Sequence, residues 1–146
     1  MAGVEKAITI AAPVEQIFDY VREATNLLEI WPNMVKIKDV QRLPNGGNRF
    51  RCVYRMAGIH FKVTSEDVEY IANQRIVGQT KGGIQSTIAW EFQPEDGGTN
   101  LTLKAEYTVP IPLLGNLAEA LITRRNARDI EVLLTYLKIR VERGQA

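Results

Sequence analysis

The C-terminal stretch constrains this chain more than any other part of it. From about Leu113 to Glu142 the apolar residues recur with helical spacing, and at ~1.5 Å per residue such a helix is about 45 Å long. A rod of that length buries its apolar side only against an element that follows it from end to end. Pro110-Ile111-Pro112 marks where it takes over, because proline cannot donate to a strand ladder and so ends the strand before it.

The preceding residues supply that element. Between Met34 and Val109 the apolar period is two, interrupted by Pro44-Asn45-Gly46-Gly47-Asn48, Ala57-Gly58, Ala72-Asn73, Lys81-Gly82-Gly83 and Glu95-Asp96-Gly97-Gly98. These clusters predict hairpin turns and six strands, near 34–43, 48–57, 60–71, 75–81, 84–93 and 99–109, with a seventh over Val4 to Ile10. Consecutive hairpins give an antiparallel meander. After the first strand, Pro13 suits a first helical turn, and Val14, Ile17, Phe18 and Val21 form one apolar stripe. Thr25 or Asn26 is expected to cap a second, shorter helix through Leu27 and Leu28, which Pro32 ends near Trp31. The expected class is α+β, with residues 1–146 as one domain and a seven-stranded curved antiparallel sheet around the long terminal helix.

Composition narrows the function. The 18 basic and 17 acidic residues leave a net charge of +1, which gives no field of the kind that recruits nucleic acid. Cys52 is the sole cysteine and His60 the sole histidine, which excludes an internal disulfide and the usual zinc clusters; no metal and no cofactor is expected. The start of the chain lacks a basic segment followed by an apolar one, and no run of ~18 apolar residues occurs, so a soluble cytoplasmic protein is expected.

Alternation assigns the inner sheet face. Phe50, Cys52, Tyr54 and Met56 share one side of their strand, as do Phe61 and Val63, then Ile88, Trp90 and Phe92, then Leu101, Leu103, Ala105, Tyr107 and Val109. Val68 and Tyr70 have the opposite parity to Phe61 and Val63, which predicts a bulge around Ser65 to Asp67. On the terminal helix, Ile130, Leu133, Leu134, Leu137 and Val141 make a core stripe. Extended backwards, that stripe meets the small or polar Ala127, Asn126, Thr123, Glu119 and Asn116, while Leu114, Leu117 and Leu121 fall nearly opposite. Two arrangements fit. A continuous helix lets its first half border a cavity and leaves the three leucines as an exposed patch for a membrane surface or a second copy; a kink near Gly115 or Asn116 turns Leu117 and Leu121 into the core.

The order of elements, with Ile8-Thr9-Ile10-Ala11-Ala12-Pro13-Val14-Glu15-Gln16-Ile17-Phe18, the Glu29-Ile30-Trp31-Pro32 elbow and Trp90-Glu91-Phe92 followed by Gly98-Thr99 and a strand ending at Tyr107, resembles the START-like (SRPBCC) superfamily over nearly the whole chain. That group is also called polyketide cyclase/dehydrase and lipid transport, or birch-pollen-allergen-like. The resemblance implies the helix-grip fold and a hydrophobic ligand, and its branches include lipid and sterol carriers, coenzyme Q-binding proteins, aromatase/cyclases and co-chaperone domains.

The candidate ligand-binding residues are Tyr54, Met56, Phe61, Trp90, Tyr107, Glu119, Thr123 and Asn126. An apolar wall with a few polar groups suits a lipid, isoprenoid quinone or polyketide-like molecule. The alternatives are a cyclase or dehydratase, for which Tyr54, Tyr107, Glu119 and Asp67 are the available acid–base groups, and a co-chaperone-like interaction module with a filled interior. No catalytic signature is present, since Cys52 shares its face with no histidine, His60 has outward parity, and Lys81-Gly82-Gly83 lacks the context of a phosphate loop. Arg49, Arg51, Arg55, Lys36, Lys38 and Lys62 form a basic outer face, and Arg124, Arg125 and Arg128 are expected in solvent.

Overall fold

A computed structural model describes residues 2–111 and 115–144. The chain runs β1 (Ala2–Ile10), α1 (Val14–Val21), a 3-10 turn (Ala24–Asn26), α2 (Leu27–Ile30), β2 (Met34–Arg42), β3 (Asn48–Met56), β4 (Ile59–Ile71), β5 (Arg75–Gly82), β6 (Ser86–Glu95), β7 (Gly98–Tyr107) and α3 (Asn116–Glu142). Seven strands form one antiparallel sheet in the order β1-β7-β6-β5-β4-β3-β2. The first strand therefore pairs with the last, Ala2 opposite Tyr107 and Ile10 opposite Thr99. With the long terminal helix and the short helices after β1, this is the expected helix-grip arrangement.

Strand bounds follow the turn residues closely. The left-handed backbone falls at Gly46, Gly58, Gly82 and Gly97, and also at Ala57 and Asn73, within the predicted hairpins. The bulge lies slightly later than expected, between Asp67 and Glu69, so alternation holds through the exposed Val68 and the phase has reversed by Tyr70, which packs against the core. The expected cap of the second helix is absent: Asn26 makes no capping bond and instead donates from Nδ2 to the Tyr20 carbonyl at 2.9 Å, because the 3-10 turn runs directly into α2.

The core packs most densely where α1, the second half of α3 and the adjoining strands meet. Ile10, Ile17, Leu101, Leu103, Leu133 and Leu137 are fully buried there, and Phe18 sets its ring edge-on to Tyr70 and Phe92, with centroids 5.3 and 5.2 Å apart. The end of α3 is tied to the β1–α1 corner. Glu142 accepts the Ala11 N–H at 2.8 Å and Lys138 Nζ donates to the Thr9 carbonyl at 2.8 Å.

α3 is one uninterrupted helix from Asn116, with Gly115 as the residue before it, so the kink that would turn Leu117 and Leu121 inward does not form. Leu117 is 76% exposed and Leu121 55%. Leu114 and the expected start at Leu113 lie outside the described residues. No described helix is long and apolar enough to cross a membrane.

Candidate ligand cavity

Toward the other end of the sheet, the side chains of α3 become too small to fill the concave face. Its buried residues above Ile130 reduce to Asn126; Ala127 and Thr123 are half-buried and Asn116 and Glu119 are exposed. A cavity of about 120 Å³ remains between α3, the α1–α2 elbow and the inner faces of β3 to β7. Phe50, Cys52, Tyr54 and Met56 of β3 form one wall, and Ile88 and Trp90 of β6 with Ala105 and Tyr107 of β7 form the opposite one. Asn126 and Ile130 come from α3, while Trp31 and Leu27 close the elbow side.

The polar groups in this wall are few, and several are held by one another. Asn126 Nδ2 donates to the Tyr107 hydroxyl at 2.9 Å, a buried pair joining α3 to the end of β7. Trp31 Nε1 donates to the Tyr54 hydroxyl at 3.2 Å, with the two rings edge-on at 5.7 Å. Burial pushes the Tyr54 phenol up to about 12, so it stays protonated at neutral pH. Burial also pushes the Cys52 thiol up to about 11, which makes it a small apolar wall group and not a nucleophile. Thr80 and Ser86 share a hydrogen bond across β5 and β6.

Of the candidate residues, Tyr54, Met56, Trp90, Tyr107 and Asn126 are brought together in the cavity wall. Phe61 is not among the wall residues; it is half-buried against the core from β4. Glu119 and Thr123 are not there either. They lie one turn apart on the part of α3 that precedes the cavity, where the Thr123 hydroxyl donates to the Glu119 carbonyl at 2.9 Å. Sequence reasoning left out Arg22, Trp31, Asn48, Ser65 and Gly78, all in the wall, and named Asp67 as an acid–base group without assigning it to the wall. Asp67 and Ser65 had a usable signal, since both share the odd parity of Val63; placing the bulge one or two residues early hid it.

Asp67 is the carboxyl of the cavity. Burial raises its pKa above the ordinary aspartate value, opposed by a hydrogen bond from the Asn48 N–H and by the charge of Arg42. His60, Lys81 and the basic residues Lys36, Lys38, Arg49, Arg51, Arg55 and Lys62 are exposed on the sheet, and Arg124, Arg125 and Arg128 are exposed on α3. Two of these arginines are paired, Arg49 with Glu66 at 3.2 Å and Arg51 with Asp39 at 3.9 Å. No group of three or more metal-ligating side chains gathers among the described residues.

The sequence profile of the family described as polyketide cyclase/dehydrase and lipid transport matches residues 1–142. No curated protein sequence gives a significant match. Among solved structures, TTHA0849 from Thermus thermophilus superposes with a TM-score of 0.86 at 24% identity, covering 99% of both chains. A START superfamily protein from Mycobacterium smegmatis gives 0.81 at 18% identity, over 98% of this chain and 99% of the other. The Zhui aromatase/cyclase from Streptomyces sp. R1128 gives 0.72 at 18% identity, over 95% and 94%. At these identities the likeness is one of fold.

Proposed function

Because the chain belongs to the polyketide cyclase/dehydrase and lipid-transport family, we propose that it binds and carries an apolar small molecule in the cavity between sheet and terminal helix. The supporting observation is the cavity itself, a space lined mainly by aromatic and aliphatic side chains with a few oriented polar groups. Its volume sets the scale of the guest. At about 120 Å³ it falls short of the ~300–1,000 Å³ that encloses drug-sized ligands, so a long lipid or prenylated quinone enters only if α3 moves away from the sheet.

Native mass spectrometry of the protein purified from its own cells tests this. The expected result is an adduct of a small apolar molecule that organic solvent releases. A protein that arrives empty and takes up no lipophilic dye would sink the carrier reading.

One observation favours a second reading, a cyclase or dehydratase working in the same cavity: Asp67 offers the wall a carboxyl of raised pKa, the property that proton transfer near neutral pH requires. Turnover lost in Asp67→Asn while ligand binding persists is the signature of that chemistry. The co-chaperone-like alternative asks for a filled interior, and the open space between α3 and the sheet gives it no support.

A further inference from the structure

α3 has a second surface, the one it turns away from the sheet. Leu117 and Leu121 stand on it at 76% and 55% exposure, the two most exposed large apolar side chains among the described residues. At 3.6 residues per turn, Leu117, Leu121, Arg124 and Arg128 fall within about 60° of the helix circumference, with Arg125 at the border of that sector. Ile139, also exposed, continues the same line toward the C-terminal end, whereas Glu119 lies on the opposite side of the helix from Leu117.

The charge on this face is uncompensated. Arg124, Arg125 and Arg128 are exposed and make no ion pair among the described residues. The acids next to them in the helix are engaged elsewhere: Asp129 accepts a hydrogen bond from Asn33 Nδ2, and Glu131 pairs with Lys6 at 2.8 Å. Arg124 and Arg128 are four residues apart, a spacing at which like charges repel on a helix. A chain of net charge +1 thus gathers three free guanidinium groups beside its two barest leucines.

We propose that this face docks on an anionic lipid bilayer, with Leu117 and Leu121 entering the headgroup boundary and Arg124, Arg125 and Arg128 meeting the lipid phosphates and carboxylates. A helix face that joins apolar side chains to basic ones is what an anionic interface takes up, because burial and charge attraction then act together. A second copy sharing the patch about a two-fold axis would set arginine against arginine. None of these five residues lines the cavity, so docking does not depend on the cavity being a ligand site. If the cavity does hold a lipid, docking brings α3, whose other side contributes Asn126 and Ile130 to the wall, up to the lipid source.

Vesicle flotation tests the proposal with the wild-type chain, the double variant Leu117→Ser/Leu121→Ser and the triple variant Arg124→Gln/Arg125→Gln/Arg128→Gln, on phosphatidylcholine vesicles with and without phosphatidylserine. The wild-type chain is expected to float only with the phosphatidylserine vesicles. Affinity for them is expected to fall about hundredfold in the arginine variant and about tenfold in the leucine variant. Absence of wild-type binding, or binding that neither variant weakens, overturns the proposal. So does a wild-type dimer in light scattering that Leu117→Ser/Leu121→Ser abolishes, since a second copy then covers the face. Uptake of a lipophilic dye without vesicles reads the cavity separately: a wild-type chain that floats but takes up no dye upholds docking and sinks the carrier reading.

Discussion

At the residue scale, Asp67 is the side chain whose burial is most visibly a compromise. Its folded-state pKa is raised, chiefly by burial, so the folded protein holds this proton more tightly than the unfolded chain does. The resulting penalty is absent below the ordinary aspartate value of 3.8 and complete once pH exceeds Asp67's own higher value. Asp67→Asn keeps a side-chain oxygen to accept the Asn48 N–H and removes the charge. In urea melts the variant is expected to be more stable than wild type at pH 7, with the gain fading as pH falls to 3; a gain that grows toward acid would contradict the burial assignment. A group that lowers stability at the pH of use and sits in a cavity wall has the profile of a functional residue.

At the scale of elements, α3 is two helices in one. Its second half is pinned by Leu133, Leu134, Leu137 and Val141 in the core and by Glu142 and Lys138 at the β1–α1 corner, whereas its first half presents Leu117 and Leu121 to solvent. Leu133→Ala, at a fully buried position, is expected to cost about 2–5 kcal/mol in chemical denaturation. Leu117→Ser is expected to stay within about 0.5 kcal/mol.

The stripe at Ile130 to Val141 was legible because five apolar residues at helical spacing have one way to face a sheet. Extrapolating it backwards to Glu119 and Thr123 missed the cavity because the helix precedes the cavity there and its polar residues meet solvent. The strand bounds were legible for a different reason, namely that glycine and asparagine stand where the hairpins need left-handed backbone. The place of Asp67 in the wall was not, although its carboxyl was a candidate acid–base group, because a one-residue bulge reverses every later side chain of the strand and alternation alone cannot say at which residue it begins. Arg22 and Asn48 left no periodic trace. Their place in the wall depends on contacts between α1 and β3 that are 26 residues apart in sequence.

For the whole molecule, the sheet pairs β1 with β7, so its first and last strands lie side by side. Lys6 of β1 also reaches Glu131 of α3 at 2.8 Å. Deleting residues 1–10 removes Ile10 from the core, strips β7 of a neighbour and frees the corner that anchors α3. Circular dichroism of that variant is expected to show no cooperative thermal transition, and a sharp one would mean that the sheet stands without its first strand. The free edge at the other side is blunted. β2 carries Lys36 and Lys38, two register shifts and left-handed backbone at Asp39, which discourage a second chain from pairing there.

The sequence contains two tryptophans, Trp31 and Trp90, and both stand in the cavity wall. Every indole in the protein therefore borders the same enclosed space, one from the helical elbow and one from the sheet. The ultraviolet emission of the unlabelled protein is in consequence a gauge of what fills that space, with no background from tryptophans elsewhere.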